Sequence, residues 1–189
     1  IKAAPILFTK RQLDRSEGQI QAIIANSGCA NSFTGEQGMR NAEKMAELAA
    51  DSLGVDEKEI AVASTGPIGK QLDMELIERQ HGDVVKGLTS EAAGSTTAAK
   101  AIMTTDTFYK EQAIRIDTDN EERVVIAGIA KGSGMIFPHL ATATATMLSF
   151  IYTDARLSEE IQRASFEDAV ANSFNMVVVD GDMSTNDLV

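Results

Sequence analysis

Cysteine is almost missing from this sequence. Cys29 is the only one in 189 residues, so no internal disulfide can form. A lone thiol fits a reducing compartment, and a cytoplasmic location is the expectation. Zinc sites of the Cys₄ or Cys₂His₂ kind are excluded by the same count. Histidine is scarce as well: His81 and His139 do not form a close pair, and no Ser-His-Asp spacing is visible. Basic charge is in deficit, with 17 Lys and Arg against 28 Asp and Glu and a net charge of -11. That is the opposite of the clustered cations that bind nucleic acid, and it favours solubility. No apolar run approaches the length needed to cross a bilayer. Repeats and low-complexity tracts are absent. What remains is an ordinary globular balance, 43% hydrophobic and 24% charged, in a chain long enough for one good core or two small ones.

Strand and helix patterns interleave. IQAIIA, residues 20–25, reads as a strand ending in the polar loop NSGCANSFTGEQG. In the following segment Ala42, Met45, Ala46, Ala49 and Leu53 recur at helical steps, with Gly54 placed to stop the helix. IAVAS, 60–64, is a short strand entering the turn TGPIG. Residues 73–80 and 90–103 read as helices. QAIRID and RVVIAGIA flank DTDNEE, which predicts a β-hairpin with a polar turn. MLSFIYTD is a further strand. Ser158 caps a helix whose Phe166, Ala169, Val170 and Phe174 form a buried stripe. MVVVD, 176–180, is continuous enough for a central strand. The fold class is α/β, with mixed sheets layered with helices. One such region is expected over 1–189, as a piece of a longer protein.

Several local patterns carry chemistry only weakly. DTDNEE lacks the glycine and the flanking helices of an EF-hand and reads as a solvated turn. GSG, 132–134, leads into Pro138 and fits neither a P-loop nor a dinucleotide fingerprint. DGDMSTND reads as a turn held by Asp and Ser side chains on backbone rather than as a metal site. STG, 64–66, follows a strand, where backbone N–H groups and a hydroxyl could meet an oxyanion.

The run ATATATML, 141–148, is the unusual one. A threonine on a strand is ordinarily β-propensity alone. Its hydroxyl becomes a nucleophile when a cut directly before it turns the residue into a chain N-terminus. The new α-amine, with a pKa of about 7.7–8.0, then serves as base. The small residues and the sharp turn in KGSGMIFPHLA suit such a cut.

Seven motifs stand in one order: IKAAPI, NSGCANSFTGEQG, ASTGPIG, AIMTTDTF, AKGSGMIFP, ATMLSFIYTDA and VVDGDMSTND. Together they resemble the ornithine acetyltransferase family, also called glutamate N-acetyltransferase, over nearly the whole chain. The resemblance implies the fold of that family, similar to a group of self-cleaving amidohydrolases. It implies a precursor that cuts itself at an Ala-Thr bond, and an acetyl group passed from N-acetylornithine to glutamate through an acetyl-threonine. Thr65 and Gly66 match the family's oxyanion pair, and Lys131 a substrate-binding lysine. Thr104 and Thr105 are both candidates for a further substrate contact. The run PHLATATATML holds four more residues than the family's pattern. Counting from the strand gives Ala145-Thr146 as the cut and Thr146 as nucleophile; counting from Lys131 gives Ala141-Thr142 and Thr142. The junction near 141–146 would divide an α-chain part from a β-chain part, expected to assemble as two α and two β chains. Neither metal nor cofactor is expected, with acetyl-CoA left open as a second acetyl donor. Two other readings stay open: a self-processing aminopeptidase or amidase, separated by its hydrolysis of amides, and an inactive binding or assembly subunit, separated by an uncut chain.

Overall fold

The computed structural model describes residues 2–117, 123–137 and 147–189. The chain divides into two compact units, Ile1–Thr97 and Ala98–Val189. The boundary falls within helix α4, Ala92–Ala101.

In the first unit, strands β1 (Ala22–Ser27) and β2 (Ile60–Thr65) pair in parallel, from Ala22 opposite Ile60 to Ser27 opposite Thr65. A parallel pair needs a long crossover, supplied by helix α2, Gly35–Leu53. Its buried residues include Ala42, Met45, Ala46 and Ala49, the stripe expected from the sequence. Leu53 faces out, at 38% exposure. Gly54 ends the helix in the left-handed region at φ 69, its N–H donating to the Ala50 carbonyl, which a glycine does at little steric cost. Every residue of β2 is buried. Helix α3, Met74–Lys86, is capped by Asp73, whose side chain accepts from Leu76 N–H.

Helix α1, Ala4–Arg15, was not expected from the sequence. Pro5 sits in its first turn, where the missing N–H costs nothing. Phe8 and Gln12 are fully buried. The Thr9 hydroxyl donates to the Val62 carbonyl at 2.7 Å and accepts from the Val62 N–H at 2.8 Å. One side chain thus satisfies both main-chain groups of a central β2 residue, on the side away from β1.

The second unit holds a three-stranded antiparallel sheet, ordered β3 (Lys110–Asp117), β4 (Arg123–Lys131), β5 (Leu148–Thr153). The predicted hairpin is β3–β4, in register from Lys110 opposite Ala130 to Asp117 opposite Arg123; most of its turn, 118–122, lies outside the described residues. Helix α5, Glu159–Ala171, begins where expected, with the Ser158 side chain accepting from Ile161 N–H. Two expectations fail here. Among the residues of α5 only Val170 is buried, and Phe166 is 41% exposed. The stretch 176–180 is not a strand. Phe174–Met176 form a 3₁₀ turn, and Val177–Val179 are exposed. A continuous apolar run is equally compatible with a loop that has nothing packed over it, and periodicity cannot separate the two. Among the described residues, no helix is long and apolar enough to cross a membrane.

Candidate active site

In the first unit, β2 delivers Thr65 to a buried position at its C-terminal end. The loop after β1 closes over it: Cys29 N–H donates to the Thr65 carbonyl at 3.1 Å and Ala30 N–H to the Pro67 carbonyl at 3.0 Å. Gly66 follows at φ 137. A Cβ there would lie 2.5 Å from the Cys29 nitrogen and 2.6 Å from the Gly28 carbonyl carbon. Only glycine fits this approach of two backbones. The STG turn predicted from the sequence is therefore a tightly built corner, with Thr65 and Gly66 adjacent in it.

The second unit gathers a polar cluster around Asp106, whose side chain has no solvent exposure. Asp106 Oδ1 accepts from Lys110 Nζ at 2.6 Å and from Gly132 N–H at 2.8 Å. Its Oδ2 accepts from Thr104 N–H at 3.4 Å and lies 3.9 Å from Lys131 Nζ. Lys131 closes β4, is 2% exposed, and donates to the Thr104 hydroxyl at 2.8 Å. Thr105 differs from its neighbour: its hydroxyl is exposed and shares a 2.7 Å bond with Ser133. Burial works against the charge on Asp106, but bonds from Lys110, Gly132 and Thr104 outweigh it and hold the carboxyl below its ordinary range. Lys131 is held below its ordinary value, chiefly by burial, with Lys110 adding to this and Asp106 and Asp187 opposing it. Lys131 and Lys110 both lie close to Asp106, and Asp187 also acts on Lys131. The ammonium of Lys131 is of the charge that suits a carboxylate ligand.

Two more aspartates shape the neighbourhood. Asp180 accepts from Met135 N–H at 2.6 Å and Ile136 N–H at 3.0 Å, and so pins the glycine-rich turn after Lys131. These bonds, the Met135 one foremost, keep its carboxyl below the ordinary range. The Ser184 hydroxyl accepts from Asn186 N–H, so DGDMSTND is the side-chain-braced turn expected. Asp187 is 5% exposed and accepts from Met147 N–H at 2.5 Å. Burial pushes its carboxyl up to about 7, against smaller opposing effects of the Met147 bond and Lys131.

Sequence reasoning placed Lys131 and Thr104, which the fold brings together, and Thr65 and Gly66, which lie in the first unit. It missed Asp106, Lys110, Asp180 and Asp187 as organisers. Asp106 had a signal, standing two residues after Thr104 within AIMTTDTF. Thr142, Thr146, the bonds Ala141-Thr142 and Ala145-Thr146, and His139 lie outside the described residues.

The ArgJ family model matches residues 1–189. The chain belongs to the ArgJ family. Among its ArgJ relatives, "Glutamate N-acetyltransferase" of Methanosarcina mazei is 47% identical over 189 residues, which cover all of this chain and 46% of that protein. "Arginine biosynthesis bifunctional protein ArgJ" of Symbiobacterium thermophilum is 46% identical over the same 189 residues, 45% of its length. The chain therefore spans just under half the length of these relatives. Two solved ArgJ structures share the α/β fold. The Bacillus halodurans bifunctional protein matches with a TM-score of 0.66 at 37% identity, covering 74% of this chain and 71% of that one. Ornithine acetyltransferase of Mycobacterium tuberculosis, solved in complex with ornithine, matches with a TM-score of 0.65 at 35% identity, covering 73% and 71%.

Proposed function

We propose that the protein of which this chain forms part transfers an acetyl group from N-acetylornithine to glutamate. The observation that carries this reading is the ArgJ match across all 189 residues, with relatives of 46–47% identity named for this activity or for arginine biosynthesis. The lysine at 131 supports it, because every substrate of this reaction is an amino acid with an α-carboxylate. The ornithine held by the M. tuberculosis relative is chemically consistent with that assignment.

The proposed route starts with cleavage of the Ala145-Thr146 bond, or of Ala141-Thr142 in the alternative register. The freed Thr α-amine takes the proton of its own hydroxyl as the oxygen attacks the acetyl carbonyl of N-acetylornithine. Negative charge collects on the carbonyl oxygen, where the Thr65–Gly66 corner would hold it; one such donor lowers a barrier by about 3 kcal/mol. The C–N bond breaks, the ammonium returns its proton to the departing ornithine amine, and an acetyl-threonine remains. The glutamate amine attacks that ester, gives up a proton to the Thr amine, and regenerates the hydroxyl. Lys131, with Thr104 beside it, would hold the substrate carboxylate, and Thr105 is the second candidate contact. The route needs no metal, and supplying acetyl-CoA in place of N-acetylornithine would test it as a second donor. The cleaved parts are proposed to assemble as two α and two β chains in the cytoplasm.

Two measurements on the full-length protein test the reading. Intact-mass spectrometry should find two fragments meeting at an Ala-Thr bond. Acetyl from N-acetylornithine should appear on glutamate, with ping-pong kinetics. An uncut chain with full turnover sinks the mechanism, and release of free acetate without transfer replaces it with an amidase. Turnover surviving in both Thr146→Ala and Thr142→Ala removes threonine as the nucleophile.

A further inference from the structure

Asp106 offers one carboxylate to two ammonium groups and treats them differently. Lys110 Nζ donates to its Oδ1 at 2.6 Å, whereas Lys131 Nζ stands 3.9 Å from its Oδ2, beyond hydrogen-bond distance. A buried ion pair serving stability alone would close to direct contact, because only good geometry offsets its desolvation. Lys110 makes that contact with a side chain 34% exposed. Lys131, 1% exposed in its side chain, is the one held off. Its Nζ donates to the Thr104 hydroxyl at 2.8 Å, a neutral acceptor and so a weaker one than a carboxylate.

The same carboxyl fixes what surrounds Lys131. Its Oδ1 also accepts from Gly132 N–H at 2.8 Å, and that nitrogen is joined to the Lys131 carbonyl carbon by a planar, stiff peptide. Its Oδ2 accepts from Thr104 N–H at 3.4 Å, which places the residue whose hydroxyl receives Nζ. Asp106 thus holds the main chain at one end of Lys131 and the acceptor at the other. A lysine otherwise carries its point charge on a flexible four-carbon stem, and ordering that stem only when a ligand arrives costs affinity.

We infer that Asp106 is the positioning residue of the substrate-binding lysine, holding Lys131 Nζ beside Thr104 in readiness for a carboxylate. This inference rests on the assignment of Lys131 to the substrate carboxylate above. Lys110 keeps Oδ1 engaged, so the aspartate guides the Lys131 ammonium without capturing it. Asp106 and Asp187 favour that ammonium, and Lys110 opposes it.

The experiment uses full-length wild type, Asp106→Asn, Lys131→Met, the double variant and Lys110→Met. Each is assayed with N-acetylornithine and with its α-carboxamide, which lacks the carboxylate charge. Asp106→Asn should raise KM for N-acetylornithine at least tenfold with kcat within threefold, and should leave kcat/KM for the carboxamide within threefold of wild type. Placed on Lys131→Met, it should change KM by less than threefold, because residues acting through one another are not additive. The alkaline limb of kcat/KM should move to lower pH in Asp106→Asn and to higher pH in Lys110→Met. The second shift is read on a partly exposed side chain, so it decides the matter even where Asp106→Asn fails to fold. Equal losses on both substrates, additive effects in the double variant, or an unmoved limb in Lys110→Met overturn the positioning role and leave the acetyl-transfer reading standing. A wild-type KM in Lys131→Met removes the lysine assignment and this inference with it. A wild type that transfers no acetyl overturns both readings together.

Discussion

At the scale of single residues, each unit rests on buried groups that tolerate little change. Gly66→Ala would bring a methyl within 2.6 Å of two backbone atoms at φ 137. We expect a loss of about 2–4 kcal/mol of stability by chemical denaturation. Asp106→Leu would take from Lys131, 1% exposed in its side chain, the first of its two opposing carboxyls. A loss of about 3–5 kcal/mol is expected for a buried pair broken from one side, and Lys131→Met in the same protein should recover part of it. With Lys131 in its proposed role, Lys131→Met alone should raise KM for N-acetylornithine at least tenfold, the substrate carboxylate losing a charge-assisted bond worth about 1.5–3 kcal/mol; steady-state kinetics checks this.

At the scale of elements, α1 is the part that composition concealed. Its buried residues are Pro5, Phe8, Thr9 and Gln12, two of them polar, so no apolar stripe announces it. Its fit depends on Thr9 and Gln12 finding partners 53 and 45 residues away, which local pattern cannot encode. Thr9→Val removes the hydroxyl at nearly equal volume and strands both main-chain groups of Val62. Thermal or urea unfolding should register a cost of about 2–4 kcal/mol, two buried groups being left unpaired. The α2 helix and the β3–β4 hairpin were legible because period and turn signals agree there. The stretch 176–180 was misread because its valines match the composition of a core strand. In the fold Asp180 turns back to bind Met135 and Ile136, and Val179 N–H meets the Ile136 carbonyl, so the segment braces a loop rather than joining a sheet. Within the site, motif identity located Lys131 and Thr104, whereas Asp187 became visible only when Met147 was seen to donate to it.

At the scale of the whole molecule, one buried acid makes stability depend on pH. The Asp187 carboxyl is held at about 7 in the fold, against about 3.9 in an unfolded chain. Between those values the folded state carries the extra proton. The group's contribution is therefore fully present below about pH 4 and is lost as pH rises through 7. At about 1.4 kcal/mol for each pH unit of difference, the ceiling is about 4 kcal/mol. Wild type should melt several degrees lower at pH 8 than at pH 5, and Asp187→Asn should flatten that slope; calorimetry across pH decides. An unchanged slope in the variant would move the titration to another group.

The double bond from Thr9 to Val62 has a consequence beyond energy. A bare margin of a short parallel pair, buried valine and alanine at its centre, is a template on which foreign polypeptide can add itself. With the hydroxyl occupying both vacancies at Val62, the centre of that margin has no rung to offer. The helix that composition hid thus doubles as a guard against intermolecular accretion. A Thr9→Val protein should reveal this as turbidity or thioflavin binding at concentrations where the parent stays clear.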